Sequence, residues 1–410
     1  MDYAVVGLQW GDEGKGKIVD CLINHALPFK VDYVVRFNGG NNAGHTIVKN
    51  GKTYKLSLIP TGVLTNNTTN YISRGVAFDP LHFIKELAYL RENGVEVRPY
   101  LSFDDPASEF HTTSYLHIDM GCPVITPVHR YVDEMENKSI GTTCRGIGPA
   151  YSDFYARRAI RVEDLLLTDE AFEEKFPDCS EATFSMVRDV RDKIRPYVDP
   201  YFNFNVYEDE RVLFEGAQGM MLDVFHGTYP YVTSSPANPA FASVVTGYHP
   251  KNLTTIGVTK AYATRVGSGP FYTELTEGPV AETLGSVGQE FGTVTGRKRR
   301  VGWLDLCQLR QSSKIAGTTT LALTKLDVLD TLREIKVCTQ VTKHLGSDEY
   351  DFNYMTFPGW RTSTKNMTSW EQLPPLAKEY VEFIERFVGI GISMISTGPS
   401  SESVILRPWR

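Results

Sequence analysis

Short apolar runs alternate with Gly- and Asn-rich turns along much of this chain. Tyr3-Ala4-Val5-Val6 runs into the glycine-rich stretch 7–16. Residues 32–37 read as a second strand that ends in Asn38-Gly39-Gly40-Asn41-Asn42. Residues 52–58 alternate in the manner of a half-buried strand, and 71–73 read as a short one. The pattern over 80–93 is that of an amphipathic helix stopped by Gly94. Val212-Leu213-Phe214-Glu215 reads as a strand closed by Gly216-Ala217-Gln218-Gly219, and 254–258 and 321–324 as further buried strands. Residues 162–195 read as a charged helical region with a solvated face. Strands that end in glycine or polar turns and feed helices predict an α/β fold with a large, mostly parallel central sheet, its ligands held at the carboxyl ends of the strands. No Pro/Ser-rich linker interrupts the chain, so a single domain over 1–410 is expected, with a helical insertion around 80–200.

The first turn carries chemistry. Gly11-Asp12-Glu13-Gly14-Lys15-Gly16-Lys17 fits G-x-x-x-x-G-K between a strand and a predicted helix, which makes the sheet P-loop-NTPase-like. Glycines let the backbone approach an anion, and exposed N–H groups with the helix dipole favour phosphate. Ile18 follows where the usual pattern has a Ser or Thr on Mg²⁺. Asp12 is the obvious replacement ligand, and it is also a candidate general base or simply a helix N-cap.

Composition narrows the partners. A net charge of −7 argues against general binding to nucleic acid or anionic membrane. Six cysteines are scattered without a C-x-x-C pair, which suits free thiols in a reducing cytoplasm. Asp2 and the early strand leave no room for a signal peptide, and no apolar run is long enough to span a membrane.

Three further clusters stand out. Thr324-Lys325-Leu326-Asp327 follows a strand, and an Asp there can accept hydrogen bonds from guanine N1–H and the 2-amino group, favouring GTP over ATP. Thr293-Val294-Thr295-Gly296-Arg297-Lys298-Arg299-Arg300 concentrates four cations after a glycine. Guanidinium groups grip carboxylates or phosphates with paired bonds, so this run suits a small dicarboxylate or a phosphate. His45, in Asn42-Ala43-Gly44-His45-Thr46, is placed for proton donation or charge stabilisation near the phosphate turn.

Taken together, residues 9–17, 42–46, 141–143, 145–149, 214–219, 226–235 and 325–327 closely resemble the adenylosuccinate synthetase family, from residue 3 to about 406. The resemblance implies GTP-dependent ligation of L-aspartate to IMP through a 6-phosphoryl intermediate, giving adenylosuccinate, GDP and phosphate. It implies a cytoplasmic homodimer that uses one Mg²⁺ per site, held by Asp12 and the Gly44 carbonyl. Asp12 and His45 would be catalytic. GTP would meet Gly11, Glu13, Gly14, Lys15, Gly16, Lys17, Gly44, Thr46, Arg299, Lys325, Leu326, Asp327, Ser396, Thr397 and Gly398. IMP would meet Asp12, Lys15, Asn42, His45, Thr143, Gln218, Thr233 and Arg297, with Arg157 reaching across the dimer. Aspartate would lie on Thr293, Val294, Thr295, Gly296 and Arg297.

The sequence departs from the family pattern at Asn41, where many relatives have His, and at Cys144, usually Gly. Phe225 stands for an acidic residue, and 236–242 replace a Thr/Gly-rich turn. Two other readings compete: a related synthetase that aminates dGMP, and a GTP-dependent switch that binds a protein partner. Retention of Asp12 favours IMP, since a small residue there would make room for the 2-amino group. A switch leaves Asp12, His45 and the Arg run without a task.

Overall fold

The computed structural model describes residues 1–99, 114–136, 140–198, 204, 209–291, 298–344 and 350–408. Ten strands form one sheet. From one edge to the other they are Val404–Leu406, Ile392–Ser396, Thr320–Thr324, Leu253–Lys260, Asp2–Gly7, Val212–Glu215, Tyr33–Arg36, Thr69–Ile72, Ser114–Ile118 and Val97–Pro99. All neighbouring pairs are parallel except Ile392–Ser396 with Val404–Leu406. The Asp2–Gly7 strand, β1, lies centrally: the chain leaves it toward Tyr33–Arg36 and later returns on its other side through Leu253–Lys260. Such a reversal opens a crevice at the carboxyl ends of the strands.

The sheet is apolar on both faces, as a buried parallel sheet must be. In β1, Ala4 and Val6 enter one core with Phe37, Phe214 and Leu321, whereas Tyr3 and Val5 enter a second with Ile18, Val34 and Ile256. A third core lies toward the Thr69–Ile72 end and takes Phe83, Leu116, Val187 and Val190. Helices Glu181–Ile194 and Asp169–Lys175 begin on Ser180 and Thr168, whose side chains accept the backbone N–H of Thr183 and Ala171.

The segment around 80–200 is richer than the helical insertion expected: it also supplies Val97–Pro99 and Ser114–Ile118 to the sheet edge. The predicted strands at 32–37, 71–73, 254–258 and 321–324 are present with shifted ends, and Val212–Glu215 falls where expected. Residues 52–58 contribute Lys52–Leu56, which pairs antiparallel with His45–Lys49 outside the main sheet. The antiparallel ribbon of Glu334–Lys343 with Tyr350–Pro358 was not anticipated.

Candidate active site

The turn after β1 is braced from within. Gly11, Asp12 and Gly14 have φ of 83°, 59° and 95°, the left-handed conformation that glycine adopts at little cost. Glu13 is fully buried, and its Oε1 accepts the N–H of Gln9 at 3.1 Å and of Gly11 at 2.9 Å. Lys15 Nζ donates to Glu13 Oε2 at 2.6 Å. Glu13 therefore shapes the loop with its side chain and can offer a ligand only its backbone. Gly14 then caps helix α1, Lys15–Cys21. A Cβ on Gly16 would lie 2.9 Å from the Cβ of His45, so only glycine lets α1 pack this closely on the His45 strand.

Lys17 has a different surrounding from Lys15. Its ammonium donates to Ser396 Oγ at 2.5 Å, the Gly398 carbonyl at 2.5 Å and the Ser403 carbonyl at 3.1 Å. Burial lowers its pKa to about 8. The expected nucleotide residues Lys17, Ser396 and Gly398 are thus brought together, but they satisfy one another as a strut between α1 and the end of Ile392–Ser396. Thr397 donates to the Met367 carbonyl at 2.7 Å.

His45 is buried and hydrogen-bonded through Nδ1 to Oε1 of Glu215, the last residue of its strand. Glu215 is fully buried, and Thr61 holds both of its oxygens, N–H to Oε2 at 2.8 Å and Oγ1 to Oε1 at 2.8 Å. Arg36 Nη1 lies 3.8 Å from the same carboxylate. Burial alone would raise the Glu215 pKa, but His45, Arg36 and Thr61 overcome it and hold the carboxylate down to about 2. Burial pushes the His45 imidazole down, against the pull of Glu215. Its Nε2 is buried and has no hydrogen-bond partner among the described residues.

His45 faces a cavity of about 1030 Å³. Of the residues expected to meet IMP, Asp12, Lys15, Asn42, His45, Thr143, Gln218 and Thr233 all line it. They come from five separate parts of the chain, and the carboxyl ends of β1, Tyr33–Arg36 and Val212–Glu215 bring them together. Gln218, at φ 55°, donates to Asn42 Oδ1 at 3.0 Å. Gly11 and Gly44 line the same space, whereas Thr46 alternates outward on its strand and is exposed. Arg157 is exposed at φ 63° and is not in the cavity lining of its own chain. Thr293, Val294, Thr295, Gly296 and Arg297 lie outside the described residues.

Two departures acquire a physical setting. Cys144 has φ 53°, a conformation that favours glycine, and its N–H is held by Thr142 Oγ1 at 2.9 Å. Asn41 is buried and donates to Asp79 Oδ2 at 2.5 Å. A residue not singled out by sequence, Arg265, also lines the cavity. It is tied down by bonds to Ser268, Thr228, Pro270 and Tyr231 and lies over the Trp10 ring at 5.4 Å.

A second group of charges lies beside the Lys325 turn. Lys325 has φ 59°, and its ammonium donates to the Gly288 carbonyl and lies 3.2 Å from Glu290 Oε1. Asp327 is half-buried, and burial raises its carboxyl pKa. Leu326, between them, is core. Arg299 Nη1 donates to Glu290 Oε2 at 2.7 Å, and Arg299 Nε lies 2.8 Å from Asp12 Oδ2, off the line of its N–H. Glu290 was not foreseen; nothing in Gly288-Gln289-Glu290 marks it as more than a surface acid.

The whole chain can now be set against known proteins. The family model for adenylosuccinate synthetase matches residues 4–405. The chain belongs to the adenylosuccinate synthetase family. It is 42% identical over 439 residues to the adenylosuccinate synthetase of Anaplasma marginale, with 98% of each chain covered. Identity to the Dechloromonas aromatica enzyme is also 42%, over 446 residues and 98% of each. A solved structure of the fully ligated adenylosuccinate synthetase of Plasmodium falciparum superposes with a TM-score of 0.86 at 32% identity, covering 99% of this chain and 100% of that one. A cyanophage S-2L succinoaminodeoxyadenylate synthetase bound to dGMP and dATP shares the fold, with a TM-score of 0.63 at 18% identity over 99% of this chain and 95% of that one.

Proposed function

We propose a division of labour at this site for the reaction of the family. That reaction is the GTP-dependent ligation of L-aspartate to IMP through 6-phosphoryl-IMP, yielding adenylosuccinate, GDP and phosphate. The enzyme is a C–N-bond-forming ligase of AMP biosynthesis. The observation that carries the assignment is the convergence of Asp12, Lys15, Asn42, His45, Thr143, Gln218 and Thr233 on one cavity.

IMP occupies that cavity with its base toward Asp12 and His45. Asp12 takes the proton from purine N1, which places negative charge on O6 and makes it a nucleophile toward the γ-phosphate of GTP. His45 presents Nε2 to the reacting oxygen, and Glu215 fixes the ring through Nδ1. Phosphorylation turns the 6-oxygen into a leaving group, and the amine of aspartate displaces it as phosphate. Thr293, Val294, Thr295, Gly296 and Arg297 hold aspartate, with Arg297 gripping a carboxylate and also meeting IMP. GTP lies along the loop of Gly11, Glu13, Gly14, Lys15, Gly16 and Lys17 with Gly44 and Thr46. Arg299 meets its phosphates, and its base meets Lys325, Leu326 and Asp327, closed by Ser396, Thr397 and Gly398.

The family uses a metal ion with GTP. Magnesium fits the residues at hand. The Asp12 carboxylate and the Gly44 carbonyl are hard oxygen donors, both residues line the cavity, and Asp12 is a quarter exposed. Among the described residues no group of three His, Cys, Asp or Glu side chains could form a cage. Mg²⁺ suits such a donor-poor site because it retains water and takes phosphate oxygens. When bound, the ion neutralises charge on the transferring phosphoryl group.

Arg157 serves the IMP site of a second subunit in a homodimer. Two features support this. The helix Pro127–Glu136 exposes Val128, Tyr131 and Met135 at i, i+3 and i+7, and Tyr155 is exposed beside Arg157. Arg157 also holds a strained left-handed backbone and is not part of the lining of its own cavity. Mixed dimers test the arrangement: D12A and R157L, each inactive alone, regain about a quarter of full activity when mixed and re-equilibrated, one site in four being intact. No recovery excludes the shared site. No described helix is long and apolar enough to cross a membrane. Six free cysteines support a cytoplasmic location.

The activity assay omits GTP, IMP and aspartate in turn, replaces GTP by ATP, and replaces IMP by dGMP. Product requires all three substrates, and ATP and dGMP support much slower turnover. Faster turnover of dGMP contradicts the IMP assignment. GTP hydrolysis at an unchanged rate without IMP and aspartate supports a switch instead.

A further inference from the structure

Glu290 is a fully buried carboxylate beside the site with no place in the chemistry above, and it is surrounded by cations. Lys260 Nζ donates to both of its oxygens at 2.9 Å, and Tyr262 donates to Oε1 at 2.5 Å. Lys325 approaches Oε1 at 3.2 Å and Arg299 donates to Oε2 at 2.7 Å. Lys260 and Tyr262 belong to the central strand Leu253–Lys260 and the turn after it, and both are buried. They fix the carboxylate. Lys325 and Arg299 are the arms that lead outward, one to the guanine-recognition turn and one to Asp12, 2.8 Å from Arg299 Nε.

We propose that Glu290 is a positioning residue that couples the two nucleotide sites. It holds Lys325 and Arg299 on a single pinned carboxylate, so that a guanine nucleotide at Lys325 favours the placement of Asp12 that IMP requires. A carboxylate shared among three cations redistributes its pull whenever one of them gains another anionic or polar partner. Engagement of Lys325 by nucleotide therefore changes how firmly Arg299 is held, and Arg299 bears directly on Asp12. The coupling rests on the functional reading above.

The test is the affinity of IMP, measured by calorimetry with and without guanosine 5′-(β,γ-imido)triphosphate and Mg²⁺. In the parent chain the guanine nucleotide tightens IMP binding about 10-fold, and in E290Q this factor falls below about 2. A purely structural role would lower thermal stability or both affinities and leave the ratio unchanged. E290D keeps the compensating charge and so protects the fold should E290Q not express. Its carboxylate is withdrawn by one methylene, and the coupling factor is expected between those of the parent and E290Q. An unchanged factor in E290D, or no coupling in the parent, overturns the proposal. Failure of the parent to bind IMP or the guanine nucleotide at all overturns the functional reading along with it.

Discussion

His45 turns its Nδ1 onto Oε1 of Glu215, 170 residues away in sequence, and leaves Nε2 as the ring nitrogen available to a ligand. A carboxylate at this position fixes the direction of the ring and favours the tautomer with hydrogen on Nδ1. Glu215→Gln keeps the shape but presents an amide that can donate where the carboxylate only accepts. The expected result is a folded protein whose kcat drops by about 100-fold or more while KM for GTP changes little. Equal kcat in E215Q and the parent would remove Glu215 from this role.

The same carboxylate has a signature in stability. Its pKa falls from an ordinary 4.5 to about 2 in the folded chain. A depressed acid stabilises the fold at pH above its unfolded value and loses that contribution as pH falls through its folded value. Glu215 thus contributes to stability near neutrality. The Tm of E215Q should lie below that of the parent at pH 7, and the gap should narrow between pH 4.5 and 2. A gap that is constant over that range assigns the loss to packing.

Asp327 is the residue proposed to select guanine. An ionised Asp accepts from both N1–H and the 2-amino group, whereas Asn places a donor against one of them. Asp327→Asn should lower kcat/KM for GTP by about 100-fold or more and improve use of xanthosine triphosphate, whose 2-oxygen accepts what Asn donates. Unaltered selectivity in the variant would place guanine recognition elsewhere.

Local features of the chain were the legible ones. The turn 11–17 and the run Lys325-Leu326-Asp327 carry their chemistry in consecutive residues, and alternating apolar runs marked the strands that hold them. What sequence concealed are pairings imposed by strand order. Glu215 meets His45 only because Val212–Glu215 lies between β1 and Tyr33–Arg36, and no periodicity encodes that insertion. Lys17 reads as a phosphate ligand from its spacing, but its bonds to Ser396, Gly398 and Ser403, nearly 400 residues on, have no signal in the sequence. Glu290 became visible only when Lys260, Lys325 and Arg299 converged on it. The antiparallel pair Glu334–Lys343 with Tyr350–Pro358 was missed because the second strand is largely exposed and the first buries Ile335, Val337 and Cys338 without a clean apolar alternation.

Asp12 lines the cavity proposed for IMP, lies 2.8 Å from Arg299, and is the ligand proposed for the metal where the loop lacks a Ser or Thr after Lys17. The decisive measurement is steady-state adenylosuccinate formation by Asp12→Ala at saturating IMP, GTP, aspartate and Mg²⁺, with Tm and IMP affinity measured on the same sample. A base contributes about 100- to 10,000-fold, so kcat should fall by at least that much while the protein stays folded and still binds IMP. A folded D12A that retains more than about a tenth of the parent kcat is incompatible with Asp12 as the base.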